Sequence, residues 1–279
     1  MSRPRSMLSV AKWSLPFAIT CAVVAQQPES RPPAQSGQRF VTAVPPAPLF
    51  FREEWRQVGA ADASTNFIAQ VPVTPKALTN PNLELTVYDP GAKNIPEYAR
   101  NPPPNSVPRD WTGSTCVLLS GYNQNPPPAK VGGGQPSDPP NLWTGVCQTP
   151  VAVTLKDEKN YVDLTGLSRI RWVTRVSGFH VVRPVVKLAD GTWLIGDYAE
   201  GAPSTNSTLF LESEFALSSV RWLRLDIRRI VTRGTWVEKP DLSKVDEVGF
   251  ADLLPGSGHG WGGFVNVGGI EVYGKPIPR

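Results

Sequence analysis

From residue 141 to the end of the chain, short apolar runs alternate with turn signals, and each run has the length of a strand. Residues 168–176 alternate cleanly: Ile170, Trp172 and Val176 fall on one face, Arg169, Arg171 and Arg175 on the other. Trp172 is therefore assigned to the core. In residues 181–198, Asp190-Gly191 separates two β-rich runs, a hairpin signal. A two-residue loop there sets Leu188 opposite Trp193 and Val186 opposite Ile195. Pro184 cannot donate to a ladder, which places that strand at an edge or at a bulge. In residues 220–230, Leu223, Leu225 and Ile227 share one face and leave Trp222 with Arg224, Asp226 and Arg228. If the leucine face is the core, Trp222 lies among charges on an outer or concave surface. The last expected strand is residues 270–273. The pattern predicts an all-β chain, a jelly-roll β-sandwich with long Pro/Gly-rich loops.

The folded part is expected to start at Leu49-Phe50-Phe51, giving one domain over residues 49–279. Residues 90–140 hold twelve prolines and a Gly132-Gly133-Gly134 run, an irregular insertion broken by one strand around residues 116–119. Composition agrees. Thirty prolines among 279 residues oppose long helices, and 19% charged residues are too few for a coiled coil.

Charge changes the picture only at the N-terminus. Arg3, Arg5 and Lys12 flank an apolar stretch over residues 13–24, ending in Val23-Val24-Ala25. This is the pattern of a secretory signal over residues 1–25, cut after Ala25, and the stretch is too short for a membrane span. Cys21 within it leaves a lipoprotein alternative open. Residues 26–48 carry six prolines and read as a disordered linker. Without residues 1–25 the formal charge falls from +4 to +1, so the basic pI gives no argument for nucleic acid. The remaining cysteines, Cys116 and Cys147, are an even pair in an exported chain and are expected to form a disulfide.

Candidate chemistry is sparse. The only histidines are His180 and His259, and neither a nucleophile elbow nor a zinc motif occurs. His180 reads as a hydrogen-bonded structural residue. The glycine-rich segment 256–263, which carries His259 and Trp261, precedes a strand rather than a helix, so it is no phosphate cradle. Glu53-Glu54, Glu212-x-Glu214, Asp226 and Asp246-Glu247 supply carboxylates, but no spacing singles out an acid–base pair. No cofactor is expected. A structural calcium at Asp62 to Asn66 would have alternating oxygens without the rest of a binding loop.

Around Tyr161-Val162-Asp163-Leu164-Thr165-Gly166 and Ile170-Arg171-Trp172 the chain resembles the galactose-binding-domain-like jelly rolls of carbohydrate-binding modules. Residues 240–250 and 270–274 are similar to the closing strands of that fold. The resemblance covers residues 141–275, and it implies sugar or polymer recognition more than catalysis. No residue matches a ligand-contacting position of that family.

The resulting expectation is an exported, non-catalytic protein that binds a carbohydrate polymer, acidic ones preferred. Its ligand would meet Trp222, Arg224, Arg228, Arg171 and Arg175 on one arginine-bearing face, with Trp143 and Trp261 in flanking loops. A glycoside-active enzyme and a structural subunit at the cell surface are the alternatives.

Overall fold

The computed structural model describes residues 45–56, 71–91, 116–121, 138–145, 147, 149–201, 209–253 and 264–279. The signal segment, most of the linker and most of the 90–140 insertion lie outside them. Alternating runs and turn residues fold into two antiparallel sheets, as expected for an all-β sandwich. In the smaller sheet the order is β12 (Leu211–Ala216), β8 (Arg169–Ser177), β16 (Phe264–Tyr273), β5 (Asn141–Trp143), β4 (Leu118–Ser120) and β2 (Val71–Pro72). A further strand, β1 (Leu49–Glu53), also pairs with β16. The larger sheet runs β14 (Trp236–Val237), β13 (Trp222–Arg224), β10 (Trp193–Gly196), β9 (Val181–Leu188), β15 (Val245–Leu253), β6 (Val151–Asp157) and β3 (Leu83–Tyr88). To it are joined β11 (Glu200–Gly201) on β9, and β7 (Asn160–Asp163), which links β15 to β17 (Lys275–Pro278). The β17 strand lies beyond residues 270–273, the last strand expected from the sequence; among the described residues it pairs with β7 alone, which leaves it at an edge, where proline is tolerated.

The main core lies between the sheets. Ile170, Trp172 and Val265 from the smaller sheet meet Val186, Leu194, Val248 and Phe250 from the larger one, as the phase of residues 168–176 requires. The larger sheet buries its other face too: Ala152, Val185, Ile195, Leu223, Leu225 and Ile230 form a second apolar cluster. That second cluster corrects the reading of Trp222. Its neighbour Leu223 does face away from it into an apolar cluster, but Trp222 points into the inter-sheet core and is 2% exposed. The sheet buries apolar residues on both faces and β13 ends at Arg224, so Leu223 and Leu225 mark a buried face without marking which one lies between the sheets.

The hairpin register is also displaced by one residue. Leu188 N–H donates to Thr192 O at 2.8 Å, so the loop is Ala189-Asp190-Gly191, and Gly191 takes φ +87°. A three-residue loop with glycine in the left-handed region sets Trp193 opposite Lys187 instead of beside Leu188. Trp193 therefore packs edge-on against Tyr88, with ring centroids 4.9 Å apart. Pro184 is not on an edge strand. It pairs with Phe250 of β15, and on its other side it sits at the gap between β10 and β11, where no strand needs its missing donor.

Candidate functional site

The arginine-bearing face expected from the sequence is divided in the fold. Arg169, Arg171 and Arg175 belong to β8 in the smaller sheet, Trp222 and Arg224 to β13 in the larger one. Arg175 is not available to a ligand. Its side chain is buried, Nη1 donates to Asp138 Oδ2 at 2.7 Å and Nε to Asn266 Oδ1 at 3.1 Å, and Phe210 covers its guanidinium. Asn266 in turn donates to Asn141 Oδ1 at 2.6 Å, which completes a buried polar network. Arg169 pairs with Glu214 at 3.1 Å across the β8–β12 ladder.

Arg171 stands on the outer face of the smaller sheet, at a cleft of about 540 Å³. The cleft exists because two strands share one side of β16 without meeting. Trp143 and Leu142 of β5 pair with Asn266 and Val267, and β1 resumes at Ile270 with Glu53. Gly268 and Gly269 lie between, and no strand among the described residues pairs with them on that side. A Cβ on Gly269 would sit 3.3 Å from Glu53 O, a tight contact with the last residue of β1. Arg171 holds two carboxylates of the cleft, Glu212 at 2.6 Å and Glu271 at 3.4 Å. Glu271 also receives Arg52 at 2.6 Å and the Tyr273 hydroxyl at 2.5 Å. Burial would raise the Glu271 carboxyl, but Tyr273, Arg52 and Arg171 outweigh it and hold the group below the usual carboxylate range. A carboxyl kept ionised in this way has no proton to give a leaving group near neutral pH. Glu53 is structural: fully buried, it accepts from the backbone N–H groups of Trp55, Thr79 and Asn80 and from the Thr79 hydroxyl.

A second charged feature lies at the edge of the larger sheet. After β13 the chain turns at Asp226, whose Oδ1 accepts from the Arg228 backbone at 3.1 Å and from Arg228 Nε at 3.2 Å. Ile230 N–H closes the turn on Asp226 O at 2.8 Å. Ile230 itself sits at φ +48°, which costs a β-branched residue about 1 to 3 kcal/mol. Its side chain is 0% exposed in the second apolar cluster, and burial of that size contributes a comparable 1.5 to 3 kcal/mol. The turn is pinned inward by Ile230 and thus turns Arg228 and Arg229 to solvent. Arg221, Arg224 and Arg233 are exposed along the same segment. The side chains of Arg229 and Arg233 form no hydrogen bond or salt bridge among the described residues. Trp236 of β14 pairs with Leu223 and is 47% exposed at this edge, with the Arg221 guanidinium 4.7 Å from its ring centre. The indole that the sequence suggested beside these arginines is thus Trp236, not Trp222.

Trp143 is half-buried, its ring lying against Gly145. Trp261, His259 and the Asp62-to-Asn66 stretch lie outside the described residues. His180 is buried, with Nδ1 2.8 Å from Asp252 Oδ1, and Thr144 donates to Asp252 Oδ2 at 2.6 Å. This is the structural role expected of it. Cys116 and Cys147 are joined as a disulfide with Cα atoms 4.9 Å apart. Among the described residues no group of three or more potential metal ligands occurs, and no helix is long and apolar enough to cross a membrane.

Three depressed carboxyls carry a stability consequence. For Glu271, Asp246 and Asp197 alike, burial raises the group but hydrogen bonds and cations outweigh it: Arg279 and Lys187 at Asp246, Arg221 at Asp197. A carboxyl with a lowered folded value stabilises the fold above its ordinary value, and that contribution is lost as pH falls through the folded value. The melting temperature should therefore be flat between neutral pH and about pH 5 and fall below about pH 4. Calorimetric scans at a series of pH values check this, and a melting temperature that rises on acidification contradicts it.

No protein-family model matches the sequence, and no curated protein does. Among solved structures the chain is similar to PfGH50B, at 7% identity and a TM-score of 0.30 over 50% of this chain. The match spans only 20% of that protein, and a likeness this weak carries no argument about fold or activity.

Proposed function

We propose that this protein is an exported, non-catalytic binder of sugar polymers that engages acidic chains through the arginine-rich edge of its larger sheet. The observation that carries this reading is the exposed Trp236 stacked under Arg221, with Arg224, Arg228, Arg229 and Arg233 along the same segment. Residues 221–236 contain five arginines and a single acid, Asp226, in a chain that is near neutral once its first 25 residues are set aside. Guanidinium groups match carboxylate and sulfate oxygens two at a time, and an indole at an edge offers a face to a sugar ring. The disulfide supports an oxidising compartment, in keeping with the N-terminal export pattern. A binding role rather than glycoside cleavage is supported by the cleft, where Glu212 and Glu271 are both held by Arg171.

An array of sulfated, uronate-containing and neutral glycans, read with the mature protein and with Trp236→Ala, tests the proposal. Sulfated or uronate chains should dominate, and loss of the half-exposed ring should weaken them about 5- to 30-fold, the equivalent of ~1 to 2 kcal/mol for a stacking cation and ring contact. Equal binding of neutral chains, or no effect of Trp236→Ala in a folded protein, contradicts it. Release of reducing ends from any glycan would favour the enzyme alternative.

A further inference from the structure

We infer that this protein associates with itself head to tail, the arginine-rich edge of one copy seating in the smaller-sheet cleft of the next. The two surfaces are complementary in charge. Four carboxylates line the cleft (Glu53, Glu54, Glu212 and Glu271) against two guanidiniums, Arg52 and Arg171, which leaves two negative charges without a cation. Glu53 is satisfied by the backbone N–H groups of Trp55, Thr79 and Asn80 and by the Thr79 hydroxyl, none of which carries a charge. Arg52 lies 2.6 Å from Glu271 but 3.8 Å from Glu54, whose side chain is 68% exposed. Glu212 is 56% exposed and meets Arg171 through Oε2 alone. Glu54 and Glu212 thus keep oxygens that can accept from a further cation, and the guanidinium fork is the cation that fits carboxylates best.

The larger sheet of a second copy supplies it. Arg228 has a side chain 87% exposed, and it already occupies Asp226, the one acid between residues 221 and 236. Arg229 and Arg233 are exposed as well, and their side chains have no ion pair among the described residues. Apolar side chains accompany both surfaces. Leu211, next to Glu212, is 41% exposed on β12, which pairs with β8 alone among the described residues. Val231 and Trp236 are 37% and 47% exposed along the arginine segment. Charge then orients the encounter, and burial of these side chains adds affinity. Within one copy the contact is out of reach. The cleft opens on the outer face of the smaller sheet, whereas Ile230 packs the arginine turn against the opposite, outer face of the larger one. Two different surfaces meeting in this way form a heterologous contact, so copies add in a chain rather than stop at a symmetric dimer. The formal charge of +1 left without residues 1–25 puts little overall repulsion in the way.

Sedimentation velocity of the mature chain, with no glycan present, tests the inference. At about 10 mM salt, where the Debye length is ~30 Å, the average mass should climb with protein concentration beyond that of two copies. At about 1 M salt, where it is ~3 Å, the mass should return to that of one copy. The double variant Glu54→Gln, Glu212→Gln should raise the dissociation constant at least about tenfold, and so should Arg229→Gln, Arg233→Gln. All four side chains are exposed and Arg171 keeps Glu271, so near-ultraviolet circular dichroism should be unchanged in both. Mixed together, the two variants should form a one-to-one dimer that grows no further, because one brings an intact arginine edge and the other an intact cleft. A mass of one copy at every concentration in low salt overturns the inference. So does undiminished association of either variant alone, or a mixture that stays monomeric. Glycan binding does not enter this measurement, so its failure is distinguishable from failure of polyanion binding at the arginine edge.

Discussion

Replacing Trp222 with alanine should unfold the protein more readily, by about 3 to 5 kcal/mol, rather than selectively abolish ligand binding. The side chain is 2% exposed and belongs to the same apolar cluster as Trp172, Leu194 and Phe250, so truncation opens a cavity between the two sheets. Neighbouring strands cannot close that cavity, since β13 is held to β10 on one side and to β14 on the other. The expected loss is a large share of the 5 to 15 kcal/mol typical of a domain. Guanidinium denaturation of wild type and Trp222→Ala measures it. A loss under about 1 kcal/mol, with weakened glycan binding, would return Trp222 to the surface role suggested by its arginine neighbours.

The disulfide should be the other large contributor. Cys116 precedes β4 and Cys147 follows β5, and these strands pair through Leu118–Trp143 and Ser120–Asn141. The bridge closes a loop with a sequence separation of 31 at the open end of a three-residue ladder, where hydrogen bonds alone would tie the ends weakly. In the chain-entropy account such a loop contributes about 3 to 4 kcal/mol by restricting the unfolded chain. Cys116→Ala with Cys147→Ala should lower the denaturation midpoint accordingly, without changing the larger sheet. Both cysteines are buried, so thiol titration of the native protein should find neither until it is unfolded and reduced. An unchanged midpoint in the double variant would show that the ladder holds the loop without the bridge.

The architecture was legible where one face of a strand is polar. Residues 168–176 sort correctly because Arg169 and Arg171 really do face outward while Ile170 and Trp172 face the core. Legibility fails at Trp222-Leu223, where both residues are buried on opposite faces of the sheet and the strand ends at Arg224, so the charges beyond it say nothing about the side on which Trp222 lies. It fails again by one residue at Gly191, since Asp-Gly serves two-residue and three-residue loops alike and only the backbone angle decides. The arginines show a different limit. Whether a guanidinium is free depends on partners distant in sequence: Arg175 is consumed by Asp138 and Asn266, while Arg228 finds only its own turn's Asp226. The cleft had one trace in the sequence, the Gly268-Gly269 pair within a strand, a signal of close backbone approach. The gap between β1 and β5 that makes it a cleft comes from pairing with β16 of two segments distant from it in sequence, Glu53 with Ile270 and Trp143 with Asn266. Trp236 had its own trace as well. It follows Arg233-Gly234-Thr235 at the end of an arginine-rich stretch, but a two-residue edge strand is too short for phase to show.

Binding of acidic sugar polymers at the arginine-rich edge is tested by titration of a sulfated polysaccharide at low and at physiological salt. Wild type should be compared with a triple Arg228→Gln, Arg229→Gln, Arg233→Gln protein, since these three side chains point to solvent and their loss leaves the fold's ion pairs in place apart from Asp226 with Arg228. Wild-type affinity should fall steeply as salt rises, because the Debye length is only about 8 Å at physiological strength. The triple variant should bind at least about tenfold more weakly at low salt and show a flatter salt dependence. Equal affinity and equal salt dependence in the two proteins would contradict the account.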